Sequence, residues 1–208
     1  MQIDIFSDVV CPWCFIGTRR LEHVLTERGI TADVTYRTFL LDPNTPPEGK
    51  NVPEMIRTKY GRDPAPMFAR VEAEARKSNI PLDSAKQPMS YNTVRAHTLL
   101  RHAIPLGTQR AFAQALFAAN FLDGKNISDP DVLVEIATQH GFTRERVLEL
   151  LTDENELSLT KKEHDVPRQL GISGAPFFVF NGTIGVSGAQ PEEVFGQVLD
   201  EIANNDPG

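Results

Sequence analysis

The sequence predicts an α/β protein: a mixed four-stranded sheet with flanking helices, interrupted by an all-α insert. Three observations point there. Residues 1–41 read strand–helix–strand. Residues 54–165 carry helical periodicity almost throughout. After Gly171-Ile172-Ser173-Gly174 the pattern becomes strand–turn–strand–helix. The expected division is 1–41 plus 166–208 for the sheet-bearing core and 42–165 for the helical insert.

Each element has a local reason. Residues 2–7 alternate and favour β structure. From Cys11-Pro12 to about Arg28 the apolar positions Cys14, Leu21, Val24 and Leu25 fall at three- and four-residue steps. Pro12 suits the first turn of that helix, and Gly29 suits its stop. Residues 32–41 read as a second strand, and a connection of that length favours parallel pairing. Pro43, Pro46, Pro47, Gly49 and Pro53 mark a loop and boundary. Helices are expected near 53–60, 64–78, 91–104, 109–122, 129–139, 143–151 and 154–165, with a short extended piece at 80–84. Pro167 marks a kink or helix start where insert meets core. Pro176 to Phe180 is a strand, Asn181-Gly182 a hairpin turn, and Thr183 to Val186 the partner strand. Pro191 opens a last helix with Val194, Val198 and Ile202 on one face.

Composition excludes several classes. The chain has 208 residues, with 21 Lys and Arg against 28 Asp and Glu, a net charge of −7. That balance argues against nucleic acid or an anionic membrane as partner, because both need clustered positive charge. No apolar window is long enough to span a bilayer. The N-terminus, Met1-Gln2-Ile3-Asp4-Ile5-Phe6, reads as folded protein rather than a signal peptide, so a cytoplasmic location is expected. There is no Gly-rich phosphate loop and no convincing metal constellation, so no metal and no tightly bound cofactor are expected.

Cys11-Pro12-Trp13-Cys14 is the most informative segment. A Cys-x-x-Cys on the first turn of a helix, just after a strand, places a thiol against free N–H groups and a partial charge of about +0.5. Cys11 is the expected thiolate nucleophile, exposed and low in pKa. Cys14, deeper on the helix, is expected to resolve the mixed disulfide. Three plainer readings compete. A zinc site with His97 and His102 would have residues 15–96 between its halves, far more than a finger allows. A structural disulfide closing so small a loop would constrain the unfolded chain little. Two inert core cysteines would not need the strand–helix context or Pro12. The second segment of interest is Gly174-Ala175-Pro176. A proline opening a strand is awkward, and a cis peptide there would bring the Ala175 backbone beside the cysteines. By itself the tripeptide reads as trans, as most X-Pro bonds are.

Together, Cys-Pro-Trp-Cys after the first strand and Gly-Ala-Pro-Phe-Phe-Val-Phe-Asn before the hairpin resemble the thioredoxin superfamily. With the helical insert the chain resembles the DsbA-like family, and more narrowly FrnE-type oxidoreductases and the 2-hydroxychromene-2-carboxylate isomerases. Supporting matches are Asn92-Thr93-Val94-Arg95-Ala96-His97, the Phe121 to Asp129 turn, and Leu41-Asp42-Pro43 with Pro46-Pro47-Glu48-Gly49. The resemblance implies a thioredoxin-like core whose strand at 176–181 pairs antiparallel with the first, and a cis Pro176. It also implies that Asn92 and His97 line a glutathione and substrate cleft. Read from the residues alone, Asn92 caps a helix and His97 makes a local hydrogen bond.

Two departures from the family matter. The buried carboxylate found six residues before the first cysteine in many superfamily members is Ile5 here, so proton transfer needs water or another group, Asp8 being one candidate. Trp13 stands where DsbA carries histidine, so a potential less oxidising than roughly −120 mV is expected, nearer −180 to −270 mV. Phe112, Leu116, Phe117 and Phe121 read as core or as a groove lining. His102, His140 and His164 read as surface residues, and Arg19 and Arg20 as solvated.

The leading functional expectation is a thiol–disulfide oxidoreductase. Its substrate-binding residues are Pro12, Trp13, Asn92, His97, Ala175 and Pro176. Its partners are protein or small-molecule disulfides and thiols, with glutathione as a conceivable co-substrate. Two rivals are a glutathione-dependent isomerase or transferase of aromatic substrates, and a non-catalytic binding or chaperone module. Substrate, direction of electron flow and oligomeric state stay open, a homodimer included.

Overall fold

The computed structural model of the protein describes residues 1–205. Strand β1 (Gln2–Ser7) lies inside a four-stranded sheet. It pairs parallel with β2 (Asp33–Thr38), Gln2 opposite Asp33, across the α1 crossover (Pro12–Glu27). On its other side it pairs antiparallel with β5 (Phe177–Phe180), Ile3 opposite Phe180, and β5 pairs with β6 (Ile184–Ser187). The order β2-β1-β5-β6 is the expected mixed core. Asn181 and Gly182 both have positive φ (47° and 70°), the left-handed backbone of the tight turn in which Thr183 N–H donates to the Phe180 carbonyl at 3.0 Å.

The insert carries α2 (Val52–Tyr60), α3 (Ala65–Lys77), α4 (Val94–Ala103), α5 (Gln109–Phe121), α6 (Pro130–Thr138), α7 (Arg144–Thr152) and α8 (Glu154–Glu163). A short α9 (Asp165–Gln169) follows, and α10 (Glu192–Asn205) closes the described chain. Pro167 sits inside α9, near its start. The extended piece expected at 80–84 does not form. The short pairing is instead β3 (Lys50–Asn51) with β4 (Met89–Ser90), because Ile80 and Leu82 are used as buried anchors. The helix expected from 91 begins at Val94, since the Asn92 side chain takes the Val94 N–H at 3.0 Å.

One apolar cluster runs from sheet to insert. It joins Ile3 and Ile5 of β1, Phe15 and Leu21 of α1, Leu99 of α4, Phe112 and Phe117 of α5, Phe178 of β5 and Phe195 of α10. Phe15 stacks on Phe117 with ring centroids 5.3 Å apart, tying the helix that carries both cysteines to the insert. Each such buried ring contributes about 2–3 kcal/mol. Phe112, Leu116, Phe117 and Phe121 are all core. A polar clamp adds direction to this packing. The Gln109 amide accepts from Tyr36 N–H and donates to Tyr36 C=O, both at 2.9 Å, supplying strand-like partners to the edge strand β2. Gly124 holds a turn at φ +65°, where a Cβ would meet the Lys86 carbonyl oxygen at 2.7 Å.

Two titratable side chains are not where the sequence placed them. Arg20 is buried rather than solvated. Its guanidinium donates to Ser78 Oγ (3.0 Å), the Ala189 carbonyl (2.9 Å) and Glu74 (2.6 Å), holding α1 against α3 and the turn before α10. His164 is buried, its Nδ1 accepting from Leu40 N–H at 2.9 Å with the ring edge-on to Phe39. His102 and His140 are half-buried, and Arg19 is exposed with its guanidinium over the Phe15 ring. Among the described residues no helix is long and apolar enough to cross a membrane.

Candidate active site

β1 delivers the chain to a tight turn at Asp8, where the Cys11 N–H donates to the Asp8 carbonyl at 3.0 Å. α1 then begins at Pro12 with Cys11 as its N-cap. No side chain caps this helix end and no acidic residue stands in its first turn, so its positive end faces the cysteines unneutralised. Both thiols are free. Cys14 is fully buried (0 % exposed), and Cys11 is 4 % exposed. The expectation of an exposed Cys11 is therefore corrected: its thiol is covered by the 175–176 segment and donates to the Ala175 carbonyl at 3.8 Å. The Ala175–Pro176 peptide is cis.

The two thiols are near each other, one turn apart at the start of α1. Burial, then the hydrogen bond to Cys11 and its charge, push the Cys14 thiol well above its ordinary pKa of 9.0. Cys14 thus keeps its proton while its neighbour reacts, the order that an attacking and a resolving thiol need.

Beside Pro12 and Trp13 opens a cavity of about 590 Å³. Met55, Tyr60, Met67 and Phe68 of the α2–α3 hairpin face Trp13 across it, with Tyr91 and Phe121 also in the wall. Met55, Tyr60 and Met67 are exposed apolar side chains, unusual on helices that could bury them. Lys50 and Lys59 add positive charge, and Asp8, Asp42 and Asp83 negative charge, to the same wall. Cys11 is not part of the wall. The Arg70 guanidinium of α3 stands over the Trp13 ring, 5.7 Å from its centroid.

Of the residues expected at the site, the fold brings together Cys11, Cys14, Pro12, Trp13, Ala175 and Pro176. Asn92 and His97 are placed elsewhere. The Asn92 amide donates to the Thr45 carbonyl at 3.0 Å, and neither residue lines the cavity. His97 is buried behind Asp8, its Nε2 3.3 Å from Asp8 Oδ1. The wall residues of α2 and α3 went unnoticed in the sequence. Their only signal was apolar residues on helices whose core face is short, as the single buried residue in each, Ile56 and Ala75, now shows.

A cysteine pair at the tip of the first helix, next to a mixed β2-β1-β5-β6 sheet and the Ala175–Pro176 segment, defines a protein of the thioredoxin fold. Residues 2–200 match the DSBA-like thioredoxin domain, and the chain belongs to that family. It is similar to a probable DsbA oxidoreductase of Streptomyces coelicolor at 31% identity and TM-score 0.89, over 100% of this chain and 92% of that one. The cytosolic disulfide reductase DsbM of Pseudomonas aeruginosa, solved with GSH, shares the fold at 16% identity and TM-score 0.71, over 98% and 100% of the chains. A 2-hydroxychromene-2-carboxylate isomerase shares it at 16% identity and TM-score 0.72, over 99% and 100%.

Proposed function

We propose that the protein is a thiol–disulfide oxidoreductase with Cys11 as nucleophile and Cys14 as resolving thiol. The Cys11 thiolate attacks one sulfur of a substrate disulfide, forming a mixed disulfide and expelling the first substrate thiolate. Cys14, once deprotonated, attacks Cys11 Sγ. The Cys11–Cys14 disulfide forms, the bond to the substrate breaks, and the second substrate thiol leaves. The substrate gains two electrons and the protein loses two; run backwards, the same steps oxidise a substrate dithiol. Pro12, Trp13, Ala175 and Pro176 shape the substrate site. Protein or small-molecule disulfides are the substrates, and the cytoplasm is the compartment, as for the similar cytosolic reductase.

The observation that carries this reading is the pair of free thiols on the uncapped helix end, one buried and held protonated, the other against the Ala175 carbonyl. Reduction of insulin is expected to depend on Cys11, and Cys14→Ser is expected to accumulate a mixed disulfide with its substrate. Insulin reduction that survives Cys11→Ser would refute it. A second reading, a glutathione-dependent isomerase or transferase of aromatic small molecules, is favoured by the apolar cavity beside Trp13. It requires isomerase activity with glutathione that persists in Cys11→Ser.

A further inference from the structure

Trp13 joins the cysteine turn to the cavity. It follows Cys11 by two residues on the first turn of α1 and lies in the cavity wall, which Cys11 does not reach. Its ring also carries a cation, the exposed Arg70 of α3, whose guanidinium sits 5.7 Å from the ring centroid. An aromatic ring holds a guanidinium by its face, so the N–H donors around the edge stay free to grip a carboxylate with two bonds at once. The acidic residues nearest along α3 are used elsewhere. Glu74, one turn on, gives one oxygen to Arg20 at 2.6 Å and the other to Lys77 at 2.7 Å. Glu72 accepts the Ser84 N–H at 3.0 Å. Among the described residues Arg70 therefore rests on an aromatic ring and pairs with no carboxylate.

The setting is basic for this chain. Residues 52–77, which span α2 and α3, hold six basic against four acidic side chains, where the whole chain carries −7. Lys59, in the cavity wall, also lies over a ring, that of Tyr60, at 5.3 Å. Of the other charges in the wall, Lys50 is paired with Asp42, Asp83 takes the Ala85 N–H, and Asp8 is buried. The volume of about 590 Å³ is that of a small-molecule site.

Resting on the thiol-exchange reading, we propose that Arg70 is a specificity-determining residue and that the substrates are small disulfides carrying a carboxylate beside an apolar group. The apolar group packs against Trp13 and the α2–α3 hairpin, and the carboxylate takes the free edge of the Arg70 guanidinium. The Cys11 thiolate attacks the sulfur so held, the substrate S–S bond breaks, and the other half leaves as a thiolate. Closure of Cys14 on Cys11 then releases the bound half, and the two electrons come from the cysteine pair. Arg70 makes and breaks no covalent bond. An exposed cation acts on encounter and register, so the preference it creates weakens as salt screens it. A neutral disulfide of the same size gains only the apolar contact.

The test is stopped-flow reaction of the reduced protein at neutral pH with two chromogenic disulfides: dithiobis(nitrobenzoate), which has a carboxylate on each ring, and dithiodipyridine, which is neutral. Each is compared with itself across variants, so differences in leaving-group reactivity cancel. In Arg70→Gln the first phase with the anionic disulfide is expected to slow roughly fivefold at low salt, the upper end of one exposed ion pair. With the neutral disulfide it is expected to stay within roughly twofold. Arg70→Lys keeps the charge and is expected to keep most of the preference. In wild type the preference is expected to shrink toward the Arg70→Gln value in roughly 1 M salt. Insulin reduction is expected to be unchanged in Arg70→Gln. Equal slowing of both small disulfides would show that Arg70 acts on the Cys11 thiolate and would overturn the proposal. So would an unchanged rate with the anionic disulfide, or a loss in Arg70→Lys equal to that in Arg70→Gln. Insulin reduction slowed as much as the anionic disulfide would overturn the small-molecule class. Thiolate release at the wild-type rate in Cys11→Ser would instead overturn the exchange reading itself.

Discussion

Arg20 is the side chain whose loss tests the packing around the cysteine helix most directly. Its side chain is only 7 % exposed, and its ion-pair partner Glu74 is 27 % exposed. Arg20→Met keeps most of the aliphatic stem and removes the guanidinium. Two well-formed bonds go, to Ser78 Oγ at 3.0 Å and to the Ala189 carbonyl at 2.9 Å. Bonds from a charged donor contribute about 1.5 kcal/mol each at the low end, giving about 3 kcal/mol together. The partly exposed pair with Glu74 adds up to about 1 kcal/mol, because Glu74 keeps Lys77 as a partner at 2.7 Å. The expected destabilisation is about 3–4 kcal/mol. Urea unfolding followed by far-ultraviolet circular dichroism measures it, provided the m-value is unchanged. A loss below about 1 kcal/mol would show that α1 is held by its apolar face alone and that the buried guanidinium is incidental.

Glu74 itself gives a pH signature. The Lys77 bond, then the Arg20 bond, hold its carboxyl below the ordinary 4.5. A depressed pKa contributes stability that is complete above 4.5 and lost as pH falls through the folded-state value. The stability gap between wild type and Glu74→Gln is therefore expected to close in acid unfolding titrations; a gap that widens would reverse the sign. Phe117→Ala removes a fully buried ring stacked on Phe15 and is expected to cost about 3–5 kcal/mol in the same urea assay. Equilibration of the Cys11–Cys14 couple with glutathione is expected to place its potential at roughly −180 to −270 mV, and a value near −120 mV would show that Trp13 does not have the effect assigned to it.

Local chemistry was written plainly in the chain. Pro12 and Gly29 bracket α1, Asn181-Gly182 makes the β5–β6 turn, and the alternation of residues 2–7 makes β1, because each depends on neighbours a few positions away. The spacing of Cys11 and Cys14 put two sulfurs on one helical turn for the same reason. Where a signal competed with packing, packing won. Ile80 and Leu82 looked extended but serve as buried anchors, and the helix at 91 lost its first residues to an Asn92 bond.

The sequence by itself determined the order of the sheet strands and main helices, the cysteine pair and its place at a helix tip. Only the tertiary structure decided which charges are buried and what they face. Arg20 and Glu74 are 54 residues apart, and Asp8 and His97 are 89 apart. The cavity wall joins α2 and α3 to Trp13 across a similar gap in the chain. Periodicity marks a face as apolar without naming its partner, whereas the environment of a titratable group is set by whatever distant segment closes over it.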